Sequence, residues 1–156
     1  MVIELTEKSN LKYCVFQSIL AIISFFIMLL ILTLEHIVII ISLGATAFIV
    51  FATPKNITAR PKNVIGGHIV GLLSGSICFL IPHSNLFIEL MVYSLAVGLS
   101  ILVMILTDTG HPPASGTALG IAMHGFSIQV LMAILIGTII LSLIKYLLKP
   151  YLKNLL

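Results

Sequence analysis

The sequence predicts an all-α, polytopic helical membrane protein with five long hydrophobic segments and one short broken or re-entrant helix. Three observations lead there. The 156 residues are 60% hydrophobic and 8% charged, with a mean hydropathy of +1.24, which leaves far too little polar surface for a soluble domain of this size. Apolar runs recur at lengths suited to a hydrocarbon core of ~30 Å. Most polar chemistry away from the chain ends collects in one stretch between two such runs, Asp108-Thr109-Gly110-His111-Pro112-Pro113-Ala114-Ser115-Gly116-Thr117-Ala118-Leu119-Gly120.

Taken in order, residues 1–14 form a cytoplasmic tail carrying Glu4, Glu7, Lys8 and Lys12. Residues 15–148 form a single transmembrane domain, and 149–156 a second tail. Residues 15–34 are an uncleaved first span, because a secretory signal would have a shorter apolar region and a small-residue cleavage site. A turn at Glu35-His36 leads to a shorter span, 37–52, with Ser42, Gly44, Ala45 and Thr46 in its middle. Residues 53–63, with two prolines and Lys55, Arg60 and Lys62, read as a solvated loop. The third span, 64–81, places Gly67, Gly71 and Gly75 on one face at four-residue spacing, a close-packing seam and the expected homo-oligomer contact. After a turn at 82–85, residues 86–107 form a fourth span and residues 127–148 the last, which ends among Lys145, Lys149 and Lys153.

Between those two lies the break. Neither proline has a backbone N–H, and each biases the residue before it toward extended geometry, so a short helix over 113–125 begins at Pro112 or Pro113. Its free amides near Ala114 and Ser115, with the positive end of its dipole, would face an adjoining cavity. Lysine and arginine concentrate in the two tails and the 53–63 loop, which places those three on one side. Both termini lie inside only if the short helix also crosses, giving six crossings; a re-entrant loop is the alternative. A helix of about 13 residues covers only ~20 Å, so the extended part must supply the remaining depth. Gly44-Ala45-Thr46-Ala47 and Gly116-Thr117-Ala118 each sit in the middle element of a three-element half, the pattern of an inverted 3+3 repeat.

Lysine and arginine are absent from the span interiors, so an anion there would be coordinated by hydroxyls of Ser42, Thr46, Ser115 and Thr117 beside Ala114 and Gly116. His111, at the break beside Asp108, would hold the loop, cap the helix or protonate with substrate. Asn63 and His68, near the start of the third span, are structural or gating positions together with Asp108, Pro112 and Pro113. His68 and His124 should bond neighbouring carbonyls, while His36 and His83 lie in solvated outer turns. The histidines fall at different expected depths, no His-Glu-x-x-His pair or cysteine cluster exists, and no metal or cofactor is expected. Cys14 and Cys78 belong near opposite faces, which excludes an internal disulfide. The basic residues are topology signals rather than a nucleic-acid surface.

His111-Pro112-Pro113-Ala114-Ser115-Gly116-Thr117-Ala118 resembles the signature of the HPP family of integral membrane proteins. Ser42-Leu43-Gly44-Ala45-Thr46-Ala47 and Arg60-Pro61-Lys62-Asn63-Val64-Ile65-Gly66-Gly67-His68 are similar to its two other common stretches, in order. The resemblance covers about residues 15–148 and implies a membrane transporter or channel for a small inorganic anion, nitrite in some members. The family is usually described with four spans, against the six crossings read from charge. A structural or assembly subunit and, further off, a membrane-embedded enzyme are the competing classes; the chain is expected not to be an enzyme. Its expected partners are the lipid bilayer, a small anion and further copies of itself, in a bacterial-type inner membrane.

Overall fold

The computed structural model of the protein describes residues 8–31 and 37–156. The described residues form six α-helices: α1 Lys8–Ile31, α2 Ile37–Ala52, α3 Pro61–Phe79, α4 Leu86–Leu106, α5 Pro113–His124 and α6 Ile128–Leu148. Short 3-10 turns at Ile57–Ala59 and Lys149–Tyr151 complete them. The Glu35-His36 turn lies outside the described residues. Two helical stretches, Leu86–Leu106 and Ile128–Tyr151, are long and apolar enough to cross a membrane, with Leu11–Ile27 and Ile41–Ala52 as shorter apolar pieces. Asn63, His68, four glycines and two serines dilute α3, so its place in a membrane depends on what covers its polar face.

α1 begins at Lys8, seven residues ahead of the expected start of the first span at 15, and two further boundaries differ from expectation for local reasons. α3 begins at Pro61, three residues before the predicted start, because proline at the first helical position forfeits only an amide that would be unbonded there. The 53–63 segment is consequently less solvated than its charges suggest: Asn56 caps the 3-10 turn, while Pro54, Ala59 and Asn63 are buried. α4 stops in a Schellman arrangement, with Asp108 N–H donating to Ile105 O at 3.3 Å and Thr109 N–H to Met104 O at 2.9 Å. Asp108 takes the left-handed position of that motif, φ 52°, a conformation that aspartate tolerates better than most residues.

Long-range ties fix the helix directions. Gln17 Nε2 donates to the carbonyls of Phe51 and Lys153, Leu155 N–H to Ala52 O at 2.9 Å, and Lys62 Nζ to Asp108 at 2.8 Å. The first half of α1, the end of α2, the start of α3, the end of α4 and the end of α6 therefore share one end of the bundle, here called the basic end. At the other end Gly125, just past α5, lies against the Phe79 ring. α5 thus runs from the basic end to the far end, parallel in depth to α3.

The seam on α3 explains that pairing. A Cβ on Gly71 would stand 2.3 Å from Ala114 O, and one on Gly75 2.5 Å from Ala118 O; on Gly67 it would meet His111 Cβ at 2.7 Å. Only glycine permits this approach. The predicted close packing is present, but its partner is α5 of the same chain, so this face is not open to a second copy. The interior combines apolar residues such as Leu43, Ile121, Ile134 and Leu141 with buried Ser42, Thr46, His68 and His111, whereas Ile22, Phe26, Phe87 and Leu106 stand exposed on the outside. That distribution suits lipid as the outer solvent.

Candidate functional site: a buried hydroxyl and imidazole network

Five polar side chains from four segments converge where α2, α3 and α5 meet. α2 presents Ser42 and Thr46 one turn apart on one face, α3 presents His68, the break presents His111, and α5 presents Thr117. None is more than 4% exposed. His68 stands between the two threonines, its Nε2 2.8 Å from Thr46 Oγ1 and its Nδ1 2.8 Å from Thr117 Oγ1. Thr46 Oγ1 is also 2.9 Å from His111 Nε2, and the two imidazole centroids are 5.2 Å apart. Ser42 Oγ lies 2.9 Å from Thr117 Oγ1 and 2.6 Å from the Pro113 carbonyl.

With both imidazoles neutral, the hydrogens can be placed by elimination. The Thr58 carbonyl only accepts, so His111 Nδ1–H donates to it, at 2.7 Å, and His111 Nε2 is an acceptor. Thr46 O–H therefore donates to His111, in preference to the longer 3.1 Å contact with Ser42 O. His68 Nε2–H then donates to Thr46, His68 Nδ1 accepts, and Thr117 O–H donates to it. Ser42 is left with one hydrogen and two acceptors, Thr117 Oγ1 and Pro113 O. A proton added at His68 Nδ1 would resolve that shortage: Thr117 would turn to donate to Ser42, and Ser42 to Pro113 O. A proton placed there would thus be accommodated by turning the Thr117 hydroxyl and directing that of Ser42 to Pro113 O.

The flanks hold the break in place. Asn63 Nδ2 donates to Gly110 O at 3.2 Å, and Lys62 pairs with Asp108 at the exposed rim. The hydrogen bond and charge of Lys62 hold the Asp108 carboxyl below its ordinary range. Among the described residues no group of three or more metal-ligating side chains gathers.

Several expected placements are corrected. His111, read as holding the loop, capping the helix or protonating with substrate, does hold the loop, through Thr58 O, and lies buried at 1% exposure while Asp108 is 90% exposed on its ion pair. The two histidines share a depth instead of lying apart, because the extended break carries His111 inward beside Gly67. His68 bonds hydroxyls, not a neighbouring carbonyl. The amides of Ala114 and Ser115 are already committed within the turn, to His111 O at 2.9 Å and Pro112 O at 3.1 Å, so they are not free to hold an anion. Ala114 instead packs under Gly71. Ser115 turns to α4, 3.2 Å from Ser100 Oγ, and away from the network. Gly116 faces Ser42, where a Cβ would sit 3.5 Å from Ser42 Cβ.

Pro112 is exposed and Pro113 buried, the latter contributing its carbonyl to Ser42. His124 does bond its own helix, Nδ1–H to Gly120 O at 3.2 Å. His83 is half-buried between the Phe79 and Tyr93 rings instead of solvated. Thr58 and Ser100 went unnoticed in the sequence; nothing local distinguishes a carbonyl that will meet a histidine. The centrality of His68 did leave a signal, since 68, 71 and 75 follow helical spacing and put it on the glycine face.

The family described as HPP, transmembrane region, matches residues 6–154. Two Dictyostelium discoideum proteins, each named only as a transmembrane protein, are 39% identical over 79 residues, which is half of this chain. The matched part is 27% of one relative and 25% of the other, so the chain covers about a quarter of their length. No solved structure matches. With a family match over nearly the whole chain, including the four segments that build the buried network, the protein belongs to the HPP transmembrane family.

Proposed function

We propose that this protein is a transporter or channel for a small inorganic anion, nitrite-like by its family resemblance, and not an enzyme. The observation that carries this reading is the network itself: five buried polar side chains at the junction of three helices of a membrane protein, one of them a short helix begun at a double proline. Polar groups in a bilayer interior are costly and tend to line a path or bind a solute. The network holds no fixed cation, so an entering anion needs a positive partner. His68 can supply it by taking a proton as the anion arrives, since an imidazolium alone would be poorly solvated there. Anion and proton would then move as a neutral pair.

In this reading the chain crosses the membrane six times, with both termini cytoplasmic, and its halves form an inverted repeat. The neighbour relations of the helices support that arrangement. α1 meets α2 as α4 meets α5, α2 meets α6 as α5 meets α3, and α3 meets α4 as α6 meets α1. The α2–α5 and α3–α6 contacts lie across the exchange axis. One observation favours a second reading: apart from Ser42's shared hydrogen, every network group is satisfied by protein, which suits a structural latch in an assembly subunit. Purified protein in liposomes separates the two. Transport predicts nitrite entry above that of protein-free vesicles, faster with the acidic side outside; entry equal to protein-free vesicles at every pH leaves the latch.

A further inference from the structure

At the basic end, away from the network, a cavity of about 410 Å³ opens between the 53–60 segment and the end of α6. Lys55, Arg60, Lys145 and Lys149 all line it, with Tyr146 and Leu152 on its apolar side. Among the described residues the carboxylates are Glu89, at the start of α4, and Asp108, committed to Lys62; neither lines the cavity. Lys145 is the unusual member. It is only 8% exposed, and its ammonium donates to the Ala59 carbonyl at 2.5 Å, which uses one of its three hydrogens. A buried ammonium satisfied by a single carbonyl is incompletely compensated. Lys149 follows one turn later on the same face. α3 also begins in the cavity wall, at Arg60-Pro61, without a side-chain cap, which adds the partial positive charge of a helix start.

We infer that this cavity binds the phosphate headgroup of an anionic phospholipid. The charges suit a phosphate ester. The choice of a lipid over a soluble phosphate rests on position: the cavity sits at the last turn of an apolar, membrane-length helix, beside exposed Tyr146 and Tyr151, which mark a membrane interface. Leu152 and Tyr146 offer apolar surface for the glycerol and upper acyl chains. Basic residues there meet the anionic leaflet to which positive-inside charge belongs. The inference stands whether or not the protein carries anions.

The test is lipid binding to the full chain in detergent, followed by native mass spectrometry and thermal unfolding. The probes are phosphatidylglycerol, phosphatidylcholine and inorganic phosphate. Lys145 also ties α6 to Ala59, so the informative variant is Arg60→Gln/Lys149→Gln, which leaves that tie intact. Phosphatidylglycerol should bind and raise the unfolding temperature of the wild type, with phosphatidylcholine and inorganic phosphate doing neither. The double variant should bind phosphatidylglycerol about thirtyfold more weakly, as expected for two basic residues at an anionic surface. Equal response to the two lipids, or a double variant that binds like the wild type, overturns the site. Stabilisation by inorganic phosphate at or above that by the lipid overturns the lipid assignment.

Discussion

α4 and α5 are consecutive, packed against one another, and opposite in character. α4 is the more apolar by sequence, yet 17% of its membrane-length window is buried, along one stripe of Val92, Ala96, Ser100 and Met104. α5 is short and rich in small and hydroxyl residues, and it buries Pro113, Ala114, Thr117, Ala118, Gly120, Ile121 and Ala122. In water this order would be reversed. Here lipid solvates the apolar helix, so hydropathy marks the outside, and close approach and hydrogen bonding select what lies within.

The largest expected difference between the two regions is steric. Gly71→Leu would drive a side chain into the backbone of α5 at Ala114, whereas a Cβ on Gly98 of α4 meets nothing within 4 Å. Gly71→Leu should yield little folded protein on size-exclusion chromatography, and Gly98→Leu should behave as wild type. Equal tolerance of both would mean that α5 is not seated on α3.

The next difference is polar. His68→Ala removes one hydrogen bond from each of Thr46 and Thr117, which keep His111 and Ser42 as their other partners, at about 0.5–1.5 kcal/mol for each bond lost. Ser94 on α4 is exposed and bonds only Leu90 O of its own helix, at 2.8 Å, so Ser94→Ala should shift stability by less than about 0.5 kcal/mol. Thermal unfolding in detergent compares them; similar shifts would deny the network any role in holding the interior together.

The smallest effect sits where the two regions join. Lys62 lowers the Asp108 carboxyl in the folded protein, so this tie contributes above the unfolded carboxylate's ordinary value and is lost as pH falls through the lowered one. Because the pair is exposed, Asp108→Asn should change unfolding only slightly near neutral pH, and the difference from wild type should vanish in acid. A larger gap in acid than at neutral pH would contradict the sign.

How much of this was legible follows from the same contrast. Apolar runs placed five of the six helices and the double proline the short one, and Gly67, Gly71 and Gly75 announced a close approach, since small residues at four-residue spacing have few other uses in a span. The partner was not legible, because a seam that fits a second copy equally fits a short helix of the same chain. His111 and Asp108 are only three residues apart in the chain, yet the left-handed turn at Asp108 sends one outward and the other inward. The commitment of the Ala114 and Ser115 amides depends on how tightly the chain turns after His111, which proline content alone does not fix.

The most direct test of the network as a path is nitrite flux through Thr117→Val in liposomes, scored against unfolding temperature in the same preparation. Valine keeps the shape and removes the hydroxyl that links His68 to Ser42, and so interrupts the chain along which a proton on His68 is accommodated. The account predicts folded protein whose flux falls about tenfold, at ~1.4 kcal/mol for a lost hydrogen bond, and whose dependence on an acidic outer side disappears. Folded Thr117→Val that carries nitrite at the wild-type rate, with the wild-type pH dependence, would place the path elsewhere.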